Sequence, residues 1–201
     1  CALPICDEAG QRANKAEAIV RMTTLRRLAE VGKLPALRAW IDNFRESGKK
    51  LVVFAAFRET QQALAAAYPD AARVFGEDSE AKRTANIARF QTEPTCDLML
   101  LSNAGTVAIT LTAASHLLEA SLLWSPAAHQ QLRDRIHRIG QTAESVNIYT
   151  MIGEGTIDTT ILSLLERKRN LVSPVVRGVG GTAEEDEGLL ADIAAELRNK
   201  R

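Results

Sequence analysis

The sequence predicts an α/β fold, a three-layer sandwich in which a mainly parallel sheet has helices on both faces. From Leu51 onward, short runs of β-branched or apolar residues alternate with longer amphipathic stretches. The connections between these stretches are short, which favours right-handed βαβ units around a parallel sheet. The 201 residues are enough for one such domain with a short appendage.

The elements follow from periodicity and from capping residues. Two helices are predicted between Glu17 and Phe44, with a break near Gly32 and Pro35. The predicted strands are Leu51–Phe57, Arg73–Phe75, Leu98–Ser102, His116–Leu122 and Val146–Ile152. Further helices are predicted over Glu59–Tyr68, from Ser79 to about Phe90, from Ser125 to Gly140 and from Thr156 to about Arg169. Ser79, Ser125 and Thr156 are the predicted N-caps, and Pro126 occupies a first helical turn.

The stretch after Val176 differs in composition from the rest of the chain. It is rich in glycine and acidic residues, which indicates a flexible linker. A short helix is predicted beyond it, with one apolar stripe formed by Leu189, Leu190, Ile193, Ala194 and Leu197. Two interpretations stay open: a weakly ordered terminal helix, or a helix that docks on this domain or on another one.

Composition excludes several classes of protein. Hydrophobic residues make up 46% of the chain, and 25 basic residues balance 25 acidic ones, so a free-standing nucleic-acid binder is disfavoured and any DNA contact must be local. No apolar stretch approaches the roughly 20 residues that span a bilayer, and no signal peptide is recognisable, so we expect an intracellular protein, cytoplasmic and, in a bacterium, nucleoid-associated. The cysteines and histidines share no ligand spacing, and we predict no metal site from Cys1, Cys6, Cys96, His116, His129 and His137.

The segment Gln130–Gln141, QQLRDRIHRIGQ, is the richest in chemistry. On a helix, Gln131, Arg135 and Arg138 are four and three residues apart and project from one face. Without context, an arginine-rich helix is ordinarily a solvated face, here with Asp134 as an intrahelical partner. A guanidinium group is, however, permanently charged and presents a planar fork that suits phosphate oxygens.

This segment resembles the sixth motif of superfamily 2 helicases. Its ending HRIGQ, preceded by WSP at Trp124–Pro126, is similar to the Swi/Snf-type DNA-translocating ATPases in particular. The resemblance implies a RecA-like second lobe whose two arginines, Arg135 and Arg138, reach across a cleft to the phosphates of ATP. Gln131 and Gln141 belong to the same nucleotide-facing motif.

Other segments resemble the remaining second-lobe motifs in the expected order. Gly48–Thr60 resembles motif four, Arg73–Phe90 the next block, Leu100–Ser115 motif five, and Asn147–Leu171 the closing strand and brace helix. Leu25–Ile41 is similar to the leading helices of the annealing-helicase branch. The resemblance covers Leu25 to Val176 and implies DNA contacts from Arg58, Gly76, Arg83, Asn103 and Thr112, with Gly105 and Thr110 coupling them to the nucleotide. Residues 1–33 then join the lobe to a first lobe, residues 34–176 form the RecA-like lobe, and residues 177–201 are the appendage.

Motif five departs from the family pattern. Gly105 is present, but Thr106 and Ala108 stand where glycines are usual, and the loop is one residue short. Glycine there allows positive φ and close approach of the backbone to phosphate, and a Cβ can block either. This departure keeps open a second hypothesis, a non-catalytic DNA- or protein-binding module with a degenerate helicase fold.

The resemblance also implies what this lobe needs from elsewhere. The sequence has no GxxxxGK[ST] loop, so we expect ATP and Mg²⁺ to be held mainly by a first RecA-like lobe of the same polypeptide. Asp7–Gly10 is rejected as a metal-binding DEAH box, because that aspartate should end a buried core strand. The implied partner is double-stranded or branched DNA, contacted by loops at the carboxyl ends of the strands. The second lobe of a DEAD-box RNA helicase is a further alternative, which HRIGQ and WSP disfavour.

Overall fold

The computed structural model describes residues 4–106 and 109–172. Ala108 and the predicted linker and helix over 177–201 lie outside the described residues. The helices are α1 (Pro4–Gly32), α2 (Leu34–Arg45), α3 (Arg58–Ala67), α4 (Glu80–Thr92), α5 (Pro126–Arg133) and α6 (Ile157–Val172). The strands are β1 (Leu51–Phe54), β2 (Ala72–Val74), β3 (Leu98–Leu101), β4 (His116–Glu119) and β5 (Asn147–Thr150), and a short 3₁₀ turn covers Asn103–Thr106.

The described strands form one sheet in the order β2-β3-β1-β4-β5, and every pairing is parallel. The predicted α/β sandwich is therefore confirmed. Each strand ends earlier than predicted, because apolar residues just past the ladder, such as Ala55, Phe75 and Leu122, are buried in loops rather than in the sheet. At the carboxyl ends, Glu119 of β4 pairs with Phe54 of β1 and Thr150 of β5.

Alternating strand residues build a core on each face of the sheet. Val52 and Phe54 belong to the cluster that includes Phe90 of α4 and Leu132 of α5. Leu51 and Val53 instead belong to the cluster with residues of α2 and α3, namely Leu37, Ile41 and Leu64. β1, β3 and β4 are buried along their whole length, as expected for central strands covered on both faces.

The leading helix α1 packs against α6 and is tied to the carboxyl edge of the sheet. Met22 and Ala29 of α1 lie in an apolar cluster with Ile161 of α6. The buried Lys33 ammonium, just after α1, donates to the carbonyls of Ala120 and Met151 at 2.7 and 2.9 Å and to the Asp158 carboxylate at 2.6 Å. The expected pair of leading helices is present, with the break at Lys33.

The helix predicted from Ser125 to Gly140 is shorter than expected. Ser125 caps it as predicted, its hydroxyl accepting from the Ala128 N–H at 3.2 Å, but α5 ends at Arg133. The chain then turns, and hydrogen bonds from outside the helix bind the carbonyls of the next residues. The Leu111 N–H donates to the Arg135 carbonyl at 2.8 Å, and the Gln141 side-chain amide donates to the Ile136 carbonyl at 2.9 Å. The predicted common helix face of Gln131, Arg135 and Arg138 is therefore wrong.

Candidate functional site

The two candidate arginines lie on a fixed loop of residues 134–141, which we call the arginine loop. Its middle is held by the hydrogen bond from Leu111 to the Arg135 carbonyl. Its end is held by Gln141, whose side-chain amide also donates to the Ala114 carbonyl at 2.8 Å. Gly140 has φ +102°, a conformation that favours glycine, and it lets the chain turn toward β5. Gln131 remains behind on α5, where it is exposed.

The side chains of the two arginines differ in exposure and in hydrogen bonding. Arg138 is exposed, and its Nη1 donates to the Thr110 hydroxyl at 3.0 Å. Arg135 is half-buried, and its Nε is a buried donor without a hydrogen-bond partner. A buried guanidinium nitrogen without a partner costs free energy. The exposed Arg138 guanidinium presents permanent positive charge, which suits an anionic oxygen ligand.

The predicted site residues occupy both edges of the sheet instead of the carboxyl edge alone. Arg58, Gly76 and Asn103 follow β1, β2 and β3 at the carboxyl edge. The arginine loop lies at the amino edge, because α5 carries the chain back from the carboxyl end of β4. Thr110 and Thr112 lie there too, on the segment that leads into β4. The expectation that the loops of motifs four, five and six all lie at the carboxyl edge is therefore wrong for motif six and for the Thr110 and Thr112 end of motif five.

The amino-edge group is connected through Gln91, in the last turn of α4. Its side-chain amide donates to the Thr110 carbonyl at 3.0 Å, and its carbonyl oxygen accepts from the Ala113 N–H at 2.8 Å. Thr110 therefore receives contacts from both α4 and the arginine loop. This link was not predicted, because a glutamine in the last turn of an amphipathic helix carries no recognisable signal.

The carboxyl-edge group centres on the loop around Gly76. Arg83 donates to the carbonyls of Phe75 and Gly76 at 3.1 and 2.8 Å, so its guanidinium shapes this loop. Arg58, with 72% of its side chain exposed, forms an ion pair with Glu77 at 2.8 Å. A Cβ added at Gly76 would meet nothing within 4 Å. The backbone there faces open space, which leaves room for a ligand. Gly105 lies in the 3₁₀ turn that begins at Asn103.

A buried carboxylate that sequence reasoning missed lies at the end of β4. Glu119 is fully buried and accepts from His129 at 3.2 Å, from Arg133 through two bonds of 2.8 and 2.9 Å, and from Thr150 at 3.0 Å. Burial raises the pKa of the Glu119 carboxyl, but hydrogen bonds from His129 and Arg133 outweigh it and lower the pKa to about 2. We call these four residues the Glu119 cluster. A carboxylate at the end of a strand with two central leucines, followed by His and Arg four residues apart on the next helix, was the available signal.

The described residues suit phosphate better than a metal ion. In the part of the chain that the structure describes, no group of three or more His, Cys, Asp or Glu residues could hold a metal. Buried carboxylates such as Glu119 and Asp158 are already paired with cations. The donors of Arg135 and Arg138 fit phosphate oxygens, and this lobe offers no described ligand set for Mg²⁺. None of the described helices is long and apolar enough to cross a bilayer.

A comparison with protein families identifies the domain. The model of the helicase conserved C-terminal domain matches residues 32–140, more than half of the chain. The chain belongs to the helicase C-terminal domain family. This helicase lobe is of the Swi/Snf type of superfamily 2, whose members form a family of ATP-hydrolysing enzymes, and the predicted resemblance is confirmed. The matched range lies almost wholly within the predicted lobe of residues 34–176, whose boundaries stay a prediction.

Two curated relatives and one solved structure illustrate the similarity. The human DNA annealing helicase and endonuclease ZRANB3 is 37% identical to the lobe over 117 residues, 58% of this chain and 11% of that protein. The SWI/SNF-related matrix-associated actin-dependent regulator of chromatin subfamily A-like protein 1 of Drosophila melanogaster is 33% identical over 154 residues, 74% of this chain and 20% of that protein.

Among solved structures, the Sulfolobus solfataricus SWI2/SNF2 ATPase core in complex with dsDNA matches with a TM-score of 0.72 at 23% identity, over 92% of this chain and 42% of that chain. This match identifies the sandwich as RecA-like, as predicted. The chain spans only a fifth or less of the length of the two curated relatives.

Proposed function

We propose that this chain is the C-terminal motor lobe of an ATP-dependent translocase of double-stranded DNA. The observation that carries the proposal is the pairing of two arginines on one anchored loop. Arg135 has a buried donor without a partner, and Arg138 is exposed and bound to Thr110. A first RecA-like lobe of the same polypeptide is the proposed holder of ATP and Mg²⁺.

In the proposed mechanism, the arginine loop serves phosphoryl transfer. When the lobes close, Arg135 and Arg138 supply fixed positive charge where negative charge develops on the transferred phosphoryl group. Thr110 releases or retains Arg138 according to whether the guanidinium has a phosphate partner. Because Thr110 lies in motif five, the same hydrogen bond connects nucleotide state to that segment.

DNA contacts are assigned to the opposite edge of the sheet. Arg58 is exposed and paired only with a surface carboxylate, so phosphate can replace Glu77 at little cost. Together with the open backbone at Gly76 and the polar side chain of Asn103, Arg58 forms a row of groups that faces the DNA phosphates in this proposal. We call these three residues the Arg58 row. Arg83 shapes the Gly76 loop in this proposal. Thr112 lies beside the arginine loop, and we assign it to the nucleotide-facing edge.

Two alternatives predict different behaviour. A degenerate binding module needs no arginine fingers, and the presence of both arginines on an anchored loop disfavours it. An RNA helicase lobe would respond to duplex RNA. The relatives' names favour DNA, since one is a DNA annealing helicase and the solved ATPase core is bound to dsDNA.

Translocation by the two-lobe protein tests the proposal. The full-length protein should displace the third strand of a DNA triplex in an ATP-dependent reaction, and duplex DNA should stimulate its ATPase more than duplex RNA does. Arg135→Ala should stop displacement while leaving binding of a fluorescent ATP analogue nearly unchanged. Equal stimulation by duplex RNA, or displacement by the Arg135→Ala protein at the wild-type rate, would contradict the proposal.

A further inference from the structure

The Glu119 cluster joins three elements at one buried point. Glu119 ends β4, His129 and Arg133 lie one turn apart on α5, and Thr150 ends β5. All donate to a carboxylate with no exposed surface. The His129 ring also accepts from the Leu123 N–H through Nε2 at 3.0 Å, which assigns its proton to Nδ1. α5 is thereby fixed to the sheet at two consecutive turns.

This fixed point stands directly before the arginine loop. Arg133 is the last residue of α5, and the loop begins at Asp134. Nε and one terminal nitrogen of Arg133 both donate to the Glu119 carboxylate, so the position and the orientation of the guanidinium plane are fixed. Besides this ion pair, the loop is held by a backbone N–H of Leu111, by the side-chain amide of Gln141 and by Ile136, which is buried in the apolar core.

We propose that Glu119 is a positioning residue for the arginine fingers: by clamping Arg133 it fixes the start of the arginine loop and hence where Arg135 and Arg138 lie. The inference rests on the proposed function of those arginines. Positioning matters because a displacement of about 1 Å at a reacting centre can cost about 100-fold in rate. Glu119 is distant from substrate in this scheme and acts only through the loop.

Glu119→Gln tests the clamp with little change of volume. One oxygen that accepts from Arg133 or His129 becomes an NH₂ group, so donor faces donor and the fork must shift. Arg133→Lys is the second variant, because it keeps the charge but loses the bidentate geometry. In the full two-lobe protein, each should lower kcat for DNA-stimulated ATP hydrolysis by about tenfold to 100-fold. KM for ATP should change less than about twofold.

A matched control is the bidentate ion pair between Arg45 and Asp97. Its two hydrogen bonds of 3.0 and 2.9 Å resemble the Arg133 clamp, but Arg45 ends α2, which covers the opposite face of the sheet. Asp97→Asn should leave kcat within about twofold of wild type. Thermal unfolding of each variant gives its folded fraction, so that rates are compared per folded molecule.

A double-mutant cycle separates positioning from general stability. In an Arg138→Lys background, Glu119→Gln should reduce kcat by a smaller factor than it does in the wild-type protein, because one of the two groups it positions is already compromised. The inference fails if Glu119→Gln and Arg133→Lys match Asp97→Asn per folded molecule, or if their losses simply multiply with that of Arg138→Lys. If Arg138→Lys itself hydrolyses ATP at the wild-type rate, the proposed function of the arginines is contradicted, whatever the effect of Glu119→Gln.

Discussion

Replacing Arg138 with alanine gives the sharpest test of the arginine loop. Arginine fingers in phosphoryl transfer contribute about 10³ to 10⁵ in rate, which corresponds to about 4–7 kcal/mol of barrier. In the folded lobe, Arg138 is exposed and makes one hydrogen bond, to Thr110, worth about 0.5–1.5 kcal/mol at most. The expected catalytic loss therefore far exceeds the expected loss of stability.

The assay is steady-state ATP hydrolysis by the two-lobe protein with saturating duplex DNA, paired with titration of a fluorescent nucleotide. Arg138→Ala should abolish stimulated turnover while nucleotide and duplex binding stay within a few-fold of wild type. Arg138→Lys should rescue little, because a point charge does not replace the fork. Arg38→Ala is the matched control, since exposed Arg38 also makes one hydrogen bond, to the Ala63 carbonyl at 3.0 Å.

The opposing hypothesis is that the arginines merely form a solvated surface. It predicts that Arg138→Ala, Arg138→Lys and Arg38→Ala all turn over within a few-fold of wild type. Near-normal turnover of Arg138→Ala would therefore refute the reasoning, whatever the behaviour of the control.

Three further predictions concern binding and stability. Arg58→Ala should weaken duplex binding about equally for all DNA sequences and should reduce by about one the slope of log K for binding against log salt concentration. Fluorescence anisotropy at several salt concentrations measures this slope, and an unchanged slope would contradict the assignment of Arg58 to the Arg58 row. Asp158→Ala should destabilise the lobe by about 3–5 kcal/mol in urea, because it leaves the Lys33 ammonium buried without its carboxylate, and a loss below about 1 kcal/mol would contradict that. Glu119 has its pKa lowered to about 2 in the folded lobe, so its contribution is present above the unfolded pKa and is lost as pH falls from about 4.5 toward 2. The stability difference between wild type and Glu119→Gln should shrink by about 3 kcal/mol over that range, and a difference independent of pH would contradict the assignment.

Local signals in the sequence were sufficient for most of the fold. The alternation of apolar runs and amphipathic stretches predicted the parallel sheet, and Ser79 and Ser125 cap their helices through Lys82 and Ala128 N–H groups as expected. Such signals act within one helical turn, so one sequence is enough to read them. The ordered motifs likewise indicated the helicase family, which the family match confirms.

Local signals failed where distant residues compete for the backbone. Nothing near Arg133 in the sequence ends α5 there, since the next helix-terminating residue is Gly140. The helix ends because the N–H of Leu111, more than twenty residues earlier in the chain, binds the Arg135 carbonyl, after which the nearby Gln141 side chain binds the Ile136 carbonyl. A helix-end prediction based on glycine alone therefore overshoots.

The sequence by itself determined which residues carry charge, which stretches form strands and helices, and which family the lobe belongs to, because these depend on local periodicity and short motifs. Only the tertiary structure decided that the arginine loop and the Arg58 row lie at opposite edges of the sheet, and that Glu119 clamps Arg133. The first arrangement depends on the edge of the sheet to which each crossover helix leads the chain. The second depends on which buried donors bind the same carboxylate. Both are set by packing between residues far apart in sequence.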